Sequence, residues 1–168
     1  MAGRAKRNRA APAGRVRPVV ECNGREVLVL DRYTPFLLNA VSNAWQRKTA
    51  AIYRAHFDLG IVEWRVMGVI NLEPGITATR LCELIRMDKA AVSRCLRQLE
   101  ASDHVRFESL PSDPRKRRWW LSKAGQRIHD KMQVIALACE DEMLEGISAE
   151  ELEVYVRVMH RMLSNVEG

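Results

Sequence analysis

The stretch ITATRLCELIRMDKAAVSRCLRQLE, residues 76–100, predicts two short helices joined by a tight turn. Thr77 can cap the first helix, because its hydroxyl group can accept a hydrogen bond from a free backbone amide. Asp88 can cap the second helix in the same way. Apolar residues recur at helical spacing, so each helix has one face to bury: Leu81, Leu84 and Ile85 in the first, and Val92, Cys95, Leu96 and Leu99 in the second.

The hydrophobic period changes to two directly after these helices. Val105 and Phe107 alternate with Arg106 and Glu108. Beyond the turn PSDPRK, residues 111–116, Trp119 and Leu121 alternate with Arg118 and Trp120. This alternation predicts a β-hairpin with a basic tip. The predicted order of elements is typical of a winged helix-turn-helix: helix, turn, helix, strand, basic turn and strand. The fold class is therefore mainly α, with a small β-hairpin wing.

The second helix has the outer face that a recognition helix needs. A helix in the major groove of DNA must be slim and rich in hydrogen-bond donors. Ala90 permits close approach, and Arg94 and Arg97 can each bind guanine or phosphate. Thr77 and Thr79 can bind phosphate at the start of the preceding helix. The predicted DNA contacts are Thr77, Thr79, Lys89, Ala90, Ser93, Arg94, Arg97, Gln98, Asp113, Arg115, Lys116 and Arg117. Taken singly, an amphipathic helix with two arginines is more often a solvated surface.

The wing tip predicts a contact with an adjacent minor groove. Asp113-Pro114-Arg115 is expected to form a rigid turn that presents Arg115, with Lys116 and Arg117 beside it. Narrow A·T-rich minor grooves concentrate negative potential, which attracts such cations. Asp113 is an acid at a surface that faces DNA, and we expect it to orient Arg115 through a salt bridge.

The net charge of +6 is unevenly distributed. Residues 1–18 hold six cations and no acid, residues 79–118 hold ten cations against six acids, and residues 119–168 hold five against nine. Such asymmetry favours a localised surface for a polyanion. Residues 1–18 have no apolar period and are expected to be a disordered tail that adds nonspecific DNA affinity. An ordinary solvated tail is the alternative.

The other elements flank this central region. Residues 19–33 are an arm that forms either a strand pair around Asn23-Gly24 or an extended segment. Thr34 or Asp31 can cap a long first helix that ends at Gly60, and residues 61–121 form the winged lobe. Further helices follow: Ser122 caps a fifth that reaches Leu144, and a capping box of Ser148 and Glu151 begins the last.

The sequence argues against an enzyme and against a membrane protein. It contains no hydrolase or phosphate-loop motif, and its four histidines have no ligand spacing, so no metal or cofactor is predicted: His56, His104, His129 and His160. No apolar run approaches the roughly 20 residues of a membrane span, and no apolar segment follows the basic N-terminus. We expect a cytoplasmic, nucleoid-associated protein. Its cysteines are expected to be free thiols, of which only Cys22, in a loop, is a plausible reactive group.

Several of these segments resemble the MarR family of winged-helix transcription regulators. They are LGIVEWRVM (59–67), residues 76–100 quoted above, DPR (113–115) and LSKAG (121–125). GISAEELEVYVRVMHRML (146–163) also resembles the family's C-terminal dimerisation helix, so the resemblance spans about residues 34–165. Asp103-His104 replaces the Gly-Leu that is usual before the first wing strand. Asp tolerates the left-handed conformation, so the helix end can survive.

The resemblance implies a ligand-responsive homodimer, with repression as the default mode. Residues 34–60 and 122–168 would form the dimerisation region. The effector would be a small aromatic acid or its coenzyme A thioester, as in the control of aromatic compound catabolism, and Arg47 or Arg54 could meet its charge. Candidate lining residues are Tyr33, Phe36, Asn39, Asn43, Arg47 and Trp64. A thiol-based redox regulator that uses Cys22 and a nonspecific architectural DNA-binding protein are the alternatives.

Overall fold

The computed structural model describes residues 14, 16–110 and 113–168, and only the backbone of residues 110 and 114–116. Two compact units divide the chain, one ending at Arg47 and the other running from Lys48 to Gly168. The elements are β1 (Val19–Cys22), β2 (Arg25–Leu28), α1 (Thr34–Phe57), α2 (Ile61–Leu72), β3 (Ile76–Thr77), α3 (Ala78–Ile85), α4 (Lys89–Ala101), β4 (Val105–Leu110), β5 (Asp113–Leu121), α5 (Lys123–Met143) and α6 (Ala149–Glu167). None of the helices in the described ranges has the length and apolar content that a membrane crossing requires.

The predicted strand pair near the N-terminus is confirmed. β1 and β2 pair antiparallel around Asn23 and Gly24, whose φ angles of 51° and 71° are typical of a two-residue hairpin turn. α1 begins at Thr34, and Pro35 lies in its first turn, where a missing amide hydrogen costs nothing. Asp31 lies in a short 3₁₀ helix that precedes α1.

The predicted end of the first helix at Gly60 is wrong. α1 ends at Phe57, and Asp58 takes the left-handed conformation with φ 54° while its amide donates to the carbonyl of Arg54. A short polar side chain tolerates this conformation better than most. Gly60 is extended and begins α2 instead, and its amide donates to the Glu63 carboxylate over 3.1 Å.

The second unit has one apolar core, built from the faces that the helical and strand periods predicted. The stripe of α4 is buried, and Trp119 of the wing is buried in the same core. The buried members are Tyr53, Leu59, Val66, Met67, Ile70, Ile76, Leu81, Val92, Cys95, Leu96, Leu99, Val105, Trp119 and Met132. The core therefore joins α2, α3 and α4 to the sheet through shared buried contacts.

The wing contains a strand that the sequence did not reveal. Its three-stranded sheet has the order β3-β5-β4, and β3 pairs Ile76 with Trp119 and Thr77 with Arg118. We predicted a hairpin alone, because two residues before a helix cap are too few to show a period of two. Thr77 therefore ends a strand and caps α3 at the same time.

The predicted turn at Asp113-Pro114-Arg115 is also wrong, because β5 begins at Asp113. Leu110 pairs with Asp113, whereas Ser109 pairs with Arg117, so the register shifts within the hairpin. Proline has no amide hydrogen to donate, and such irregular positions are where strands tolerate it. Residues 111 and 112, the remainder of the predicted turn, lie outside the described residues.

The departure from Gly-Leu at Asp103-His104 keeps the helix end, as the sequence predicted. Asp103 has φ 54°, its amide donates to Glu100, and the amide of His104 donates to Leu99 over 2.8 Å. These two hydrogen bonds form the Schellman motif that terminates helices, with Asp in the place usually held by glycine. The carbonyl of His104 then accepts a hydrogen bond from the amide of Ser122.

This junction requires a glycine at the start of α5. The Ser122 hydroxyl group caps α5 by accepting from the amide of Gly125 at 2.9 Å, and it also donates to the carbonyl of Asp103. A Cβ atom on Gly125 would lie 1.8 Å from the carbonyl oxygen of His104. The backbones therefore approach so closely that no side chain fits between them.

We expect Gly125→Ala to lower the free energy of unfolding by at least about 1–3 kcal/mol, since the added methyl group must push two backbones apart. The matched control is Gly68→Ala in α2, where a Cβ meets no atom within 4 Å. That change should raise stability by about 0.5–1 kcal/mol. Urea unfolding of both variants checks the pair, and equal stability of Gly125→Ala and the parent protein would contradict the close approach.

Candidate nucleic-acid interface

The outer face of α4 is exposed opposite its buried stripe, as the sequence predicted. It carries six of the predicted contact residues: Lys89, Ala90, Ser93, Arg94, Arg97 and Gln98. Asp88 caps the helix by accepting from the amide of Ala91 over 2.9 Å. That hydrogen bond, aided by the positive charge of Arg94, lowers the pKa of the Asp88 carboxyl group. The capping carboxylate therefore stays ionised at neutral pH.

A cleft of about 500 Å³ lies where α3, α4 and the wing meet. Its lining includes six of the predicted contact residues and comprises Thr77, Ala78, Thr79, Lys89, Ser93, Leu96, Arg97, Arg117 and Trp119. Two helices and a strand that are separate in sequence thus contribute donors to one concave surface. Ala90, Arg94, Gln98 and Asp113 are not among its lining residues.

The start of α3 presents two hydroxyl groups to this cleft. The Thr77 hydroxyl oxygen accepts a hydrogen bond from the amide of Arg80 over 3.3 Å, which confirms the predicted cap. A hydroxyl group can also donate its own hydrogen, so Thr77 can cap the helix and bind an anion at once. Thr79 follows two residues later and lines the same cleft. The dipole of α3 adds partial positive charge at the same end.

The cations of this region differ in whether acids neutralise them. Arg80 pairs with Glu73 and Glu83, and these hydrogen bonds, mainly the one to Glu73, raise its pKa. Arg86 pairs with Glu167 at the end of α6. By contrast, among the described residues no carboxylate lies within 4.0 Å of the charged groups on the α4 face: Lys89, Arg94 and Arg97. Unneutralised cations beside hydroxyl groups are the composition of a phosphate-binding surface.

Arg117 lies in β5, beside the register shift of the hairpin. Its guanidinium carbon is 3.8 Å from the centre of the Phe107 ring, and its Nη1 atom is 3.9 Å from Oε2 of Glu100. We predicted Arg117 as a contact but did not foresee Phe107 or Glu100 beside it. Ser109 pairs with Arg117 and Phe107 with Trp119, so Arg117 is the diagonal cross-strand neighbour of Phe107, whereas Glu100 reaches it from α4. The register shift hides this pairing from the sequence.

The remainder of the predicted wing surface is only partly described. The side chains of Arg115 and Lys116 lie outside the described residues, so their minor-groove contact and the Asp113–Arg115 salt bridge stay predictions. Trp120 points away from the core: the guanidinium carbon of Arg106 lies 4.9 Å from its ring, and its ring also covers Gly75. Trp120 therefore packs within the wing, which explains the second tryptophan of the pair.

The predicted effector residues fall in both units. Five are exposed and lie in the first unit: Tyr33, Phe36, Asn39, Asn43 and Arg47. The last four share one face of α1, since they are spaced three or four residues apart. Trp64 belongs to the second unit, where its ring stacks on buried His129 at 5.1 Å and tilts against Tyr53 at 6.1 Å. Their role in ligand binding stays a prediction.

The cysteines differ in exposure. Burial, and secondarily the charge of Glu63, raises the pKa of Cys95 to about 12, so this thiol stays protonated at neutral pH. Cys139 is buried too, and Cys82 is half-buried against the core. Cys22 is exposed, but it ends β1 opposite Arg25 and does not lie in the predicted loop. Within the described ranges, no group of three or more His, Cys, Asp or Glu side chains is arranged to hold a metal ion.

A three-stranded wing, a donor-rich recognition helix and a cationic cleft define a DNA-binding protein of the winged helix-turn-helix class. A sequence model of the MarR family matches residues 57–116. The chain is 30% identical over 120 residues to the transcriptional regulator HosA of Escherichia coli O111:H-, and the match covers 71% of this chain and 89% of HosA. The protein belongs to the MarR family of DNA-binding transcriptional regulators.

Solved structures show the same fold. PcaV of Streptomyces coelicolor in complex with its natural ligand has a TM-score of 0.71 at 16% identity, over 82% of this chain and 96% of PcaV. A mutant of MarR from E. coli, complexed with operator DNA, has a TM-score of 0.69 at 21% identity, over 76% of this chain and 91% of that one. The winged helix-turn-helix fold predicted from the sequence is therefore confirmed.

The two cleft threonines should separate stability from DNA affinity. Thr77→Ala removes a helix cap and should lower the free energy of unfolding by about 1 kcal/mol. Thr79→Ala should change it by less than about 0.5 kcal/mol, because the residue caps nothing and lies at the surface of the cleft. Both should weaken duplex binding through lost phosphate contacts. Urea unfolding and fluorescence anisotropy check this, and unchanged DNA affinity in both variants would remove the start of α3 from the interface.

Proposed function

We propose that this regulator is a repressor that binds a pseudo-palindromic operator as a homodimer and leaves it when a small aromatic acid or aromatic acyl-coenzyme A binds. The observation that carries the DNA-binding half is the unneutralised cationic face of α4, with Arg94 at its centre, beside the hydroxyl-lined cleft. Arginine at such a position can bind guanine with two hydrogen bonds, whereas the cleft suits phosphate.

Exposed apolar side chains support the homodimer. α6 has no buried residue in the described chain, yet it exposes Tyr155, Val156 and Leu163 by 39–51%. In the other unit, α1 exposes Leu37 and Val41 by 43% and 54%. Apolar faces of this kind are typical of subunit interfaces. The predicted dimerisation region, residues 34–60 and 122–168, includes both faces. A two-fold dimer would place its recognition helices about 34 Å apart, in successive major grooves.

The effector half of the proposal rests on the exposed face of α1. Phe36 offers an aromatic ring, Asn39 and Asn43 offer amides, and Arg47 offers a cation, all on one side of the helix. These groups suit a ring with an acidic substituent, since the ring can pack on Phe36 and the acid can pair with Arg47. PcaV, which shares the fold, is described with its natural ligand. Binding would act by population shift, favouring a dimer whose recognition helices no longer match the groove spacing.

Cys22 supports a second candidate, a redox-sensing regulator of the same fold. It is exposed, while the pKa of Cys95 is far above neutral pH because of burial. Oxidation needs an accessible thiol, so Cys22 is the group that peroxide would reach first. An architectural role with no sequence preference is the third candidate; it depends on the basic residues 1–18, most of which lie outside the described residues.

Arg94→Ala should cost about 1–3 kcal/mol on the operator and should reduce the preference for the operator over random duplex. The duplex upstream of the protein's own gene serves as the candidate operator. Arg127→Ala, the same charge change on the exposed side of α5, is the control and should leave that preference unchanged. If Arg94→Ala binds the operator as tightly as the parent protein, Arg94 is not a base reader.

A gel-shift panel should distinguish the three candidates. We expect one aromatic acid or its coenzyme A thioester to release the operator complex, and Arg47→Ala to need a higher concentration of it. Peroxide should either leave both the parent protein and Cys22→Ser bound to the operator or release both to the same extent. Release by peroxide that Cys22→Ser abolishes would establish the redox candidate. Binding to the operator and neighbouring promoters no tighter than to random duplex would favour the architectural one.

A further inference from the structure

We propose that Glu100 competes with DNA phosphate for the guanidinium group of Arg117, and that it thereby sets how much this arginine contributes to DNA affinity. Phe107 is the platform on which the guanidinium group rests in the free protein. The inference rests on the proposed function in one respect, namely that the cleft contacts DNA. It assigns Glu100 and Phe107 as positioning residues that do not themselves contact DNA bases.

The contacts of Arg117 in the wing support a held but exchangeable arginine. The guanidinium carbon of Arg117 lies 3.8 Å from the centre of the Phe107 ring, which is the distance of a stacked cation–π contact. Its Nη1 atom lies 3.9 Å from Oε2 of Glu100, at the long end of the ion-pair range. Stacking leaves the edge of the guanidinium group free, and its N–H donors lie on that edge.

The surroundings of Arg117 explain why a carboxylate is present there. Arg117 lines the same cleft as Lys89 and Arg97, so three cations share one concave surface. Like charges repel each other, and Glu100 lies one helical turn from Arg97 on α4. In the free protein, Glu100 therefore offsets part of this repulsion. When a DNA phosphate enters the cleft, it offers Arg117 a second anion in competition with Glu100.

The pair is weak enough to exchange. The side chains of Arg117 and Glu100 remain 45% and 38% exposed. Exposed pairs of this kind contribute little, and their loss corresponds to a change of only about 1.5- to 5-fold in an equilibrium constant. Glu100 therefore weakens DNA binding measurably without preventing it. Because phosphates occur in every sequence, the effect should be the same on the operator and on random duplex.

The wing carries a matched control away from the cleft. Glu108 lies in β4 beside Arg106, whose Nη1 atom is 2.6 Å from Oε1 of Glu108, and neither residue lines the cleft. Glu108→Gln removes the same charge from the winged lobe as Glu100→Gln does. A difference in DNA affinity between the two variants is therefore due to where the carboxylate lies. A change in affinity that both variants share is due to the altered net charge of the protein.

The test is a double-mutant cycle on DNA affinity, measured by fluorescence anisotropy with the operator and with random duplex. Glu100→Gln should bind both duplexes about 2- to 5-fold more tightly than Glu108→Gln does. In the Arg117→Gln background, Glu100→Gln should have no larger effect than Glu108→Gln. Equal gains from both carboxylate changes, or a gain from Glu100→Gln that persists without Arg117, would overturn the proposal.

Salt dependence gives a second readout that does not need an Arg117 variant. If Glu100→Gln releases Arg117 to phosphate, the plot of log K against log salt should become steeper by up to about 0.9, the value for one added phosphate contact. Glu108→Gln should show no such change, and equal slopes would overturn the proposal. The salt dependence is also measured on random duplex, which contains no operator. If the protein proves to have no operator preference, the comparison of Glu100→Gln with Glu108→Gln on random duplex still tests the role of Glu100.

Discussion

The contact between the backbones of His104 and Gly125 is the constraint on which the remainder of the winged lobe depends. It joins the end of the recognition helix, the first wing strand and the start of α5 at one point. The Schellman motif at Asp103 turns the chain out of α4, and Ser122 accepts from α5 while donating back to Asp103. The wing therefore leaves the recognition helix in a defined direction. The direction of β4 relative to α4 is thus set by backbone contacts.

The arginines of this region differ in how many carboxylates lie close to them. Arg80 is neutralised by two carboxylates, whereas Arg94 on the recognition helix has none within ion-pair distance among the described residues. Arg117 lies between these extremes, with one distant carboxylate and an aromatic ring. The cations of this region thus differ in how strongly nearby carboxylates hold them. If Glu100 competes with phosphate as proposed, it would adjust nonspecific affinity from a position outside the exposed face that carries Arg94.

Local signals predicted the helices and their caps well, and they failed where two segments compete or where a segment is too short. Thr77, Asp88, Ser122 and Ser148 all cap the helices that the sequence assigned to them. Gly60 does not end α1, because Asp58 already adopts the left-handed conformation that terminates the helix. Gly60 instead is the N-cap residue of α2. Within the candidate site, helical periodicity alone predicted the exposed face of α4, because burial of the apolar stripe leaves the opposite face of the helix exposed.

The order of the helices, four of their caps and the faces that they bury follow from local sequence, because these features depend on residues within one or two turns of each other. The motifs also pointed to the family. By contrast, the third strand at Ile76 and Thr77 and the position of Arg117 on Phe107 beside Glu100 became visible only in the folded chain. These contacts join residues that are far apart in the chain. Their distances depend on strand register and core packing, which no local pattern encodes.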